Sequence, residues 1–332
     1  MNTLYKNMHF AVPGTVFSLL ILLYILTLSP SVNFNDSGEL ITVAHTYGIA
    51  HPTGYPFFTA LGRIASIFFP GDPAYRINLL SALFAALCGA LISLAALRIF
   101  RVKGKNEPVV HAVLAVLSGL AAGTSLTLWQ HATNTEVYSI TAFFYSSVFA
   151  VTLYWLTQEA KTSVMRNRLF LFCAYLCGMA FTNHMSAIHI IPAVIVLLLL
   201  ERKRMNYSKN IFIASGILFI LGASWYLQLP IRAVHVPYMN WGAPANWHNF
   251  ITHVSGWQYQ VWMFSQSMDE VLSNLSLFFG LFRDQYSFII LLFAVLGIIW
   301  MFFRLRNFAI FLSVIIVSNV GYTINYSIPD IE

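Results

Sequence analysis

The amino-acid sequence predicts an all-α polytopic membrane protein, and three observations carry that reading. Of its 332 residues 58% are hydrophobic and only 9% are charged, with a mean hydropathy of +0.70. Apolar runs of roughly 20 residues, enough to cross about 30 Å of hydrocarbon, recur along the whole chain. The basic residues fall in alternate loops between those runs, as the positive-inside bias of a multi-pass protein requires.

Taken in order, spans are predicted at 13–30, 77–97, 109–129, 138–157, 169–181, 187–200, 211–229, 287–303 and 308–325. The first, "PGTVFSLLILLYILTLSP", lacks the small-x-small cleavage site of a signal peptide, and further apolar runs follow it, so it reads as a retained span. With Lys6 and the N-terminus cytoplasmic, the alternate loops hold 14 of the 18 basic residues. These loops carry Arg98, Arg101, Lys103 and Lys105, then Lys161, Arg166 and Arg168, then Arg202, Lys203, Arg204 and Lys209, and finally Arg304 and Arg306. The opposite side keeps only Arg63, Arg76, Arg232 and Arg283, but most of the carboxylates. The net charge of +6 therefore describes membrane orientation, and no nucleic-acid partner is expected.

Spans 169–181 and 187–200 are short and separated by "TNHMS". Either they tilt and thin the bilayer, or their outer ends stop below the surface and leave a recess that sets Asn183 and His184 at headgroup depth. The cytoplasmic loops are too short for a nucleotide-binding domain, and no GxxxxGK phosphate loop occurs, which argues against a cytosolic nucleotide as substrate. Cys88, Cys173 and Cys177 all sit inside apolar runs and read as packing residues, not as a disulfide or zinc set. No repeat or linker divides the chain, so residues 1–332 read as one transmembrane domain whose outer loops, 31–76 and 230–286, carry the site.

The first outer loop, "NFNDSGELITVAHTYGIAHPTGYP", gathers Asp36, Glu39, His45 and His51. Asp36 and Glu39 have the spacing of a capping box, in which each would satisfy the other's helix-start amide. They also lie just past the end of a span, where an ionisable cluster is a functional hypothesis, and a carboxylate there can act as general base. In "AHPTGYPFF" two prolines and a glycine make a rigid turn. Read blandly, the loop returns to the surface with Phe57 and Phe58 as interfacial anchors; read sharply, the turn aims His51 at the two acids. Glu136, in "TNTEVYS", either complements a helix dipole or adds a third carboxylate to the same face. Arg232, in "LPIRA", runs against the positive-inside bias and calls for a partner, an acidic side chain or a lipid phosphate. Trp241, Trp247, Trp257 and Trp262 fit an interfacial amphipathic helix, with one or two free to stack on a sugar.

Together "NDSGELITVAHTYGIAHPTGYPFFTALGRIASIF", "GDPAYRINLLSALFAAL", "TEVYS", "TNHMSAI", "LPIRA" and "NWGAPANWHNFITHVSGWQY" resemble a large membrane family first catalogued as a domain of unknown function. Its animal members are protein O-mannosyltransferases, it is frequent in Bacteroidetes-like bacteria, and it belongs with the GT-C superfamily glycosyltransferases. The resemblance runs from about Phe34 to the end of the chain. It implies a GT-C-type helical bundle of about nine spans with outer-face amphipathic helices and a lumenal or periplasmic active site. It also implies a polyprenyl-phosphate-linked sugar as donor, a protein or glycan hydroxyl as acceptor, and an acid of the first outer loop, here Asp36, as base.

The expected activity is inverting sugar transfer, with Asp36, Glu39 and His51 catalytic and Glu136, Asn183, His184, Arg232 and Trp241 binding substrate. No metal is expected from the spacing of the acids. Family members usually continue beyond the point where "NYSIPDIE" closes this chain, so an acceptor-binding region is expected elsewhere. "NDS", residues 35–37, is itself a glycosylation sequon, and a glycan there would crowd the site. That favours a bacterial inner membrane, with the endoplasmic reticulum membrane as the eukaryotic equivalent. The rival reading is a transporter or flippase of a lipid-linked or anionic solute, which would carry ionisable residues deep in its spans and paired broken helices. A scaffold for chemistry carried elsewhere is the third.

Overall fold

The computed structural model describes residues 3–103, 107–157, 163–202 and 209–326. Lys105, Lys161, Lys203, Arg204 and the segment 327–332 lie outside the described residues, as do the side chains of Lys6 and Lys103. The described residues form no strand, only two isolated bridges between helices and loops. The all-α class holds.

Helix α1 (Thr3–Thr27) stops short of the expected limit at Pro30. Two short helices, α2 (Ser37–Thr46) and α3 (Pro56–Phe68), occupy the expected outer loop. The bundle continues with α4 (Pro73–Lys103), α5 (Pro108–Gly123), α6 (Leu126–Thr133), α7 (Tyr138–Thr157) and α8 (Ser163–Asn183). A 3-10 turn (Met185–His189) leads into α9 (Ile190–Glu201), and α10 (Lys209–Ala223) is followed by α11 (Gln228–Val234). The remaining helices are α12 (Trp247–Val254), α13 (Met268–Gln285), α14 (Phe288–Arg304) and α15 (Arg306–Thr323). Helix α4 is the central strut, packed against α1, α5 and α7, while α8 pairs with α7 and α10.

Among the described residues six helices are long and apolar enough to cross a membrane, or up to eight if each of two bent pairs is one span. This differs from the nine expected for identifiable reasons. The run 109–129 is broken after Gly123, where Ser125 turns extended and α6 leaves at 66° to α5. The stretch 187–200 lies in a helical segment, Met185–Glu201, too short to count, and α13 meets α14 at 111°. Conversely, the run read as short, 169–181, belongs to a 21-residue helix. The expected tryptophan-rich amphipathic helix is two pieces, α12 and a 3-10 turn (Trp257–Trp262), separated at Gly256.

Close helix contact follows the small residues. A Cβ on Gly178 would strike the Phe219 carbonyl, and one on Gly222 the Tyr175 carbonyl, so α8 and α10 touch backbone to backbone. Phe57 and Phe58, read as interfacial anchors, are instead 6% and 1% exposed and belong to the main core, beside Phe144 and Trp225. Helix α3 thus dips into the bundle and carries the preceding turn down with it.

Candidate functional site

The site grows from α2 and the turn behind it. Asp36 sits at the N-cap position, but its carboxylate accepts no capping hydrogen bond, and Glu39 does not reach back. The expected capping box is absent because Glu39 turns the other way, towards the "HPTG" turn. One Glu39 oxygen accepts the His51 backbone N–H at 2.7 Å, and the other pairs with His51 Nδ1 at 3.1 Å. The turn is closed by Gly54 N–H donating to the His51 carbonyl at 2.8 Å, with Gly54 at φ +86°. With Nδ1 committed to Glu39, His51 Nε2 meets the Tyr55 hydroxyl at 2.8 Å.

Asp36 completes the group from outside. Its Oδ2 lies 3.9 Å from His51 Nε2, beyond hydrogen-bond reach. Its side chain is 59% exposed, against 19% for Glu39 and 14% for His51. Of the two carboxylates in "NDSGE", one is spent on His51 and the other is free.

The charges reinforce one another. Burial alone would raise the Glu39 pKa, but its bonds to His51 outweigh that and hold it below the usual value. Burial would likewise lower His51, yet Glu39, then the charges of Asp36 and Glu136, push it above its usual value. Glu136 goes the other way: burial first, then the Asp36 charge, push it up to about 7. Three carboxylates thus surround one imidazole, and near neutral pH one of them holds its proton part of the time.

Other expected residues fall around this centre in different ways. Glu136 precedes α7, and its backbone amide lies 3.5 Å from Ser81 Oγ on α4. His184 stacks on Tyr55 at 5.9 Å and tilts against Tyr138 at 5.3 Å. Its Nδ1 accepts from the Ser186 amide, which leaves the ring proton on Nε2, and burial followed by the His51 charge holds its pKa down to about 4. Asn183 is fully buried, and its amide donates to the Val137 carbonyl and Thr141 Oγ1, tying α8 to the start of α7. That contact fixes the chain just after Glu136, and the Asn183 side chain, expected to bind substrate, points into the packing between α7 and α8.

Among the described residues no acid pairs with Arg232. Its Nε donates to the Tyr47 carbonyl at 2.8 Å and its guanidinium lies over the Tyr47 ring at 4.7 Å. Arg63 donates to the His45 carbonyl of the same helix end. The carbonyls that close α2 are thus the counter-dipole for two cations that run against the positive-inside bias. Trp241 is half exposed, and its backbone N–H donates to the Ile49 carbonyl at 3.3 Å. With Ile49 N–H bonded to Met239 at 2.8 Å, that short bridge staples the two outer loops together.

Sequence reasoning missed Tyr55 and His253. Tyr55 is 8% exposed and links His51 to His184. His253, on α12, is 2% exposed and lies between Gly54 and Gly242, where an added Cβ would come within 2.9 and 2.7 Å of its ring nitrogens. Burial keeps it neutral, with a pKa of about 4. The glycines in "HPTG" and "NWG" were the available signal for it. Asp36, Glu39 and His51 also present ligand atoms within 4.8 Å of one another, a spacing open to a metal ion. Glu39 and Tyr55 already engage both His51 nitrogens.

Fold and site together define a multi-pass helical membrane protein with a carboxylate–histidine centre where its loops converge. A profile of the family described as "Protein O-mannosyl-transferase TMEM260 N-terminal domain" matches residues 36–207, and the chain belongs to that family. The mouse (Mus musculus) protein named "Protein O-mannosyl-transferase TMEM260" is 32% identical over 264 residues, 79% of this chain and 36% of that protein. The Dictyostelium discoideum protein of the same name is 26% identical over 296 residues, 84% of this chain and 35% of its own length. The chain spans about a third of the curated relatives it matches. No solved structure matches it significantly.

Proposed function

We propose that this chain is the membrane domain of a glycosyltransferase of GT-C type, 1–332 acting as one unit, that moves a sugar from a polyprenyl-phosphate-linked donor to a protein hydroxyl. The observation that carries the reading is the free, exposed Asp36 carboxylate held beside a histidine that a second carboxylate already pins. Asp36 takes the acceptor hydroxyl proton as that oxygen attacks the anomeric carbon. The bond from that carbon to the phosphate oxygen breaks from the opposite face, so configuration inverts, and the departing phosphate carries away the electron pair. It leaves as an anion and needs no general acid. Glu39 and Tyr55 hold His51 in place, and its ring lies beside the Asp36 carboxylate on the side where the acceptor oxygen approaches. The Arg232 Nη groups, which carry no hydrogen bond, steady the phosphate, and Trp241 offers a face to the sugar.

Similarity to proteins named O-mannosyl-transferases supports the transferase reading, and the gathering of Asp36, Glu39 and His51 outside the spans favours it over a transporter. The sparse basic residues around the site suit the extracytoplasmic face, in a bacterial inner membrane or, in a eukaryote, that of the endoplasmic reticulum. To test it, the full-length protein is reconstituted with labelled polyprenyl-phosphate mannose or hexose and an acceptor protein. Transfer with inverted anomeric configuration is expected. Donor that crosses the bilayer without transfer of its sugar would instead establish the flippase alternative.

A further inference from the structure

The end of the bundle opposite the carboxylates holds a second polar centre that the transfer reaction does not use. Arg98 and Arg101, on the last turns of α4, are both half-buried. Arg98 donates to Thr157 Oγ1 at 2.8 Å and to the Thr157 carbonyl at 2.9 Å, with its guanidinium over the Tyr154 ring at 5.0 Å. Arg101 pairs with His9 Nε2 at 3.1 Å and lies over the Tyr5 ring at 5.2 Å, while His9 Nδ1 meets the Tyr154 hydroxyl at 3.2 Å. Among the described residues no carboxylate pairs with either arginine. Two guanidiniums are thus gathered against rings and neutral acceptors, with donors to spare and no counter-anion among the described residues.

An apolar groove of about 390 Å³ opens between α1 and α5, at the end of the bundle that holds them. Met8, Val12 and Thr15 form one wall; Ala112, Val113 and Val116 form the other. Met8 adjoins His9, and Ala112 adjoins His111, whose Nδ1 bonds the hydroxyl of the Tyr5 whose ring lies beneath Arg101. Cationic heads at the end of an apolar slot on a membrane-spanning bundle are complementary to one class of molecule, a lipid with an anionic phosphate and an acyl chain.

We infer that this groove binds one anionic phospholipid of the bilayer leaflet at the arginine-rich end, its phosphate on Arg101 and Arg98 and one acyl chain between α1 and α5. The position is separate from the donor site: Asn78 and Ser81, beside Glu136, lie 17 to 20 residues before Arg98 on α4, roughly 25–30 Å along a helix, about the thickness of the hydrocarbon core.

The test is native mass spectrometry of the full chain, released from nanodiscs of mixed phosphatidylglycerol and phosphatidylcholine. One retained phosphatidylglycerol per chain is expected, with phosphatidylcholine not competing. Retention should fall about tenfold or more in Arg98→Gln/Arg101→Gln, two charge-assisted contacts being lost. It should hold in Arg304→Gln/Arg306→Gln, which removes equal charge elsewhere. Val113→Trp fills the groove at a half-exposed position and should expel the lipid with both arginines intact, which decides the matter if the double arginine variant does not fold. Retention of the lipid in Val113→Trp, equal loss in the Arg304/Arg306 variant, or indifference to headgroup charge would overturn the inference.

Discussion

The two ends of α4 solve opposite electrostatic problems. At one end Asp36, Glu39 and Glu136 crowd a single imidazole, and the cations nearby, Arg63 and Arg232, are turned onto helix carbonyls. At the other, Arg98 and Arg101 gather without an acid among the described residues and rest on tyrosine rings and a threonine. Each end has its local partners: Glu39 outweighs burial for His51, and tyrosine rings with the Thr157 carbonyl receive the arginines. An end rich in carboxylates has bases to lend to chemistry, whereas an end rich in guanidiniums has only donors and suits anion binding. The comparison teaches that the sign of the surplus, more than its size, sets what each end can do.

The comparison breaks most visibly at Asp36. Asp36→Asn is expected to cut sugar transfer by about 10²–10⁴-fold, the usual worth of a general base. It should leave the melting temperature unchanged, because the carboxylate makes no hydrogen bond. Removing its neighbour has the reverse signature. Glu39→Gln takes away the anion that holds His51 and should lower stability by roughly 1–3 kcal/mol, the worth of charge-assisted hydrogen bonds to a partly buried group, read as a shift in unfolding midpoint.

Next comes the pH dependence of that loss. Glu39 is depressed below 4.5, so its contribution is present above 4.5 and fades as pH falls through the folded value. His51 is raised above 6.5, so its contribution is present below 6.5 and fades as pH rises through the folded value. The difference between wild type and Glu39→Gln should therefore peak between pH 4.5 and 6.5. A flat difference across pH 4–9 would break the pair's electrostatic account.

Glu136 sharpens the comparison from the other side. Its value rises from 4.5 to about 7 in the folded protein, so ionising it costs stability as pH climbs through that window. Glu136→Gln should raise the melting temperature at pH 8 relative to pH 4, by roughly 2–4 °C after solvent screening. The smallest expected effect is at Arg232. Arg232→Ala should weaken donor binding about tenfold, the loss of one phosphate contact. An unchanged donor KM with a lower melting temperature would reduce Arg232 to an anchor for α2.

Part of this was legible in the sequence. The apolar runs and the alternation of basic loops announce the helical class because each is local and repeated. "NDSGE" and "AHPTG" lie within twenty residues, so their convergence needs only one helix and one turn. What stayed hidden depends on distant backbone. The carbonyls of His45 and Tyr47 that receive Arg63 and Arg232 carry no side-chain signature. His253 reaches the "HPTG" turn from some two hundred residues away, marked only by the two glycines that make room for it. The burial of Phe57 and Phe58 follows from α3 dipping into the bundle, which hydropathy alone cannot distinguish from a surface anchor. Likewise the break after Gly123 depends on the direction α6 takes, and apolar character continues across it.

The central claim is that Asp36, and not Glu39, receives the proton. The direct measurement is the initial rate of transfer from labelled polyprenyl-phosphate sugar by full-length Asp36→Asn and Glu39→Gln, side by side and at saturating donor. The account predicts that Asp36→Asn loses at least about a hundredfold in kcat with its donor KM and fold intact, while Glu39→Gln keeps a measurable rate and loses stability. Wild-type turnover by Asp36→Asn, with the deficit appearing only in Glu39→Gln, would contradict it.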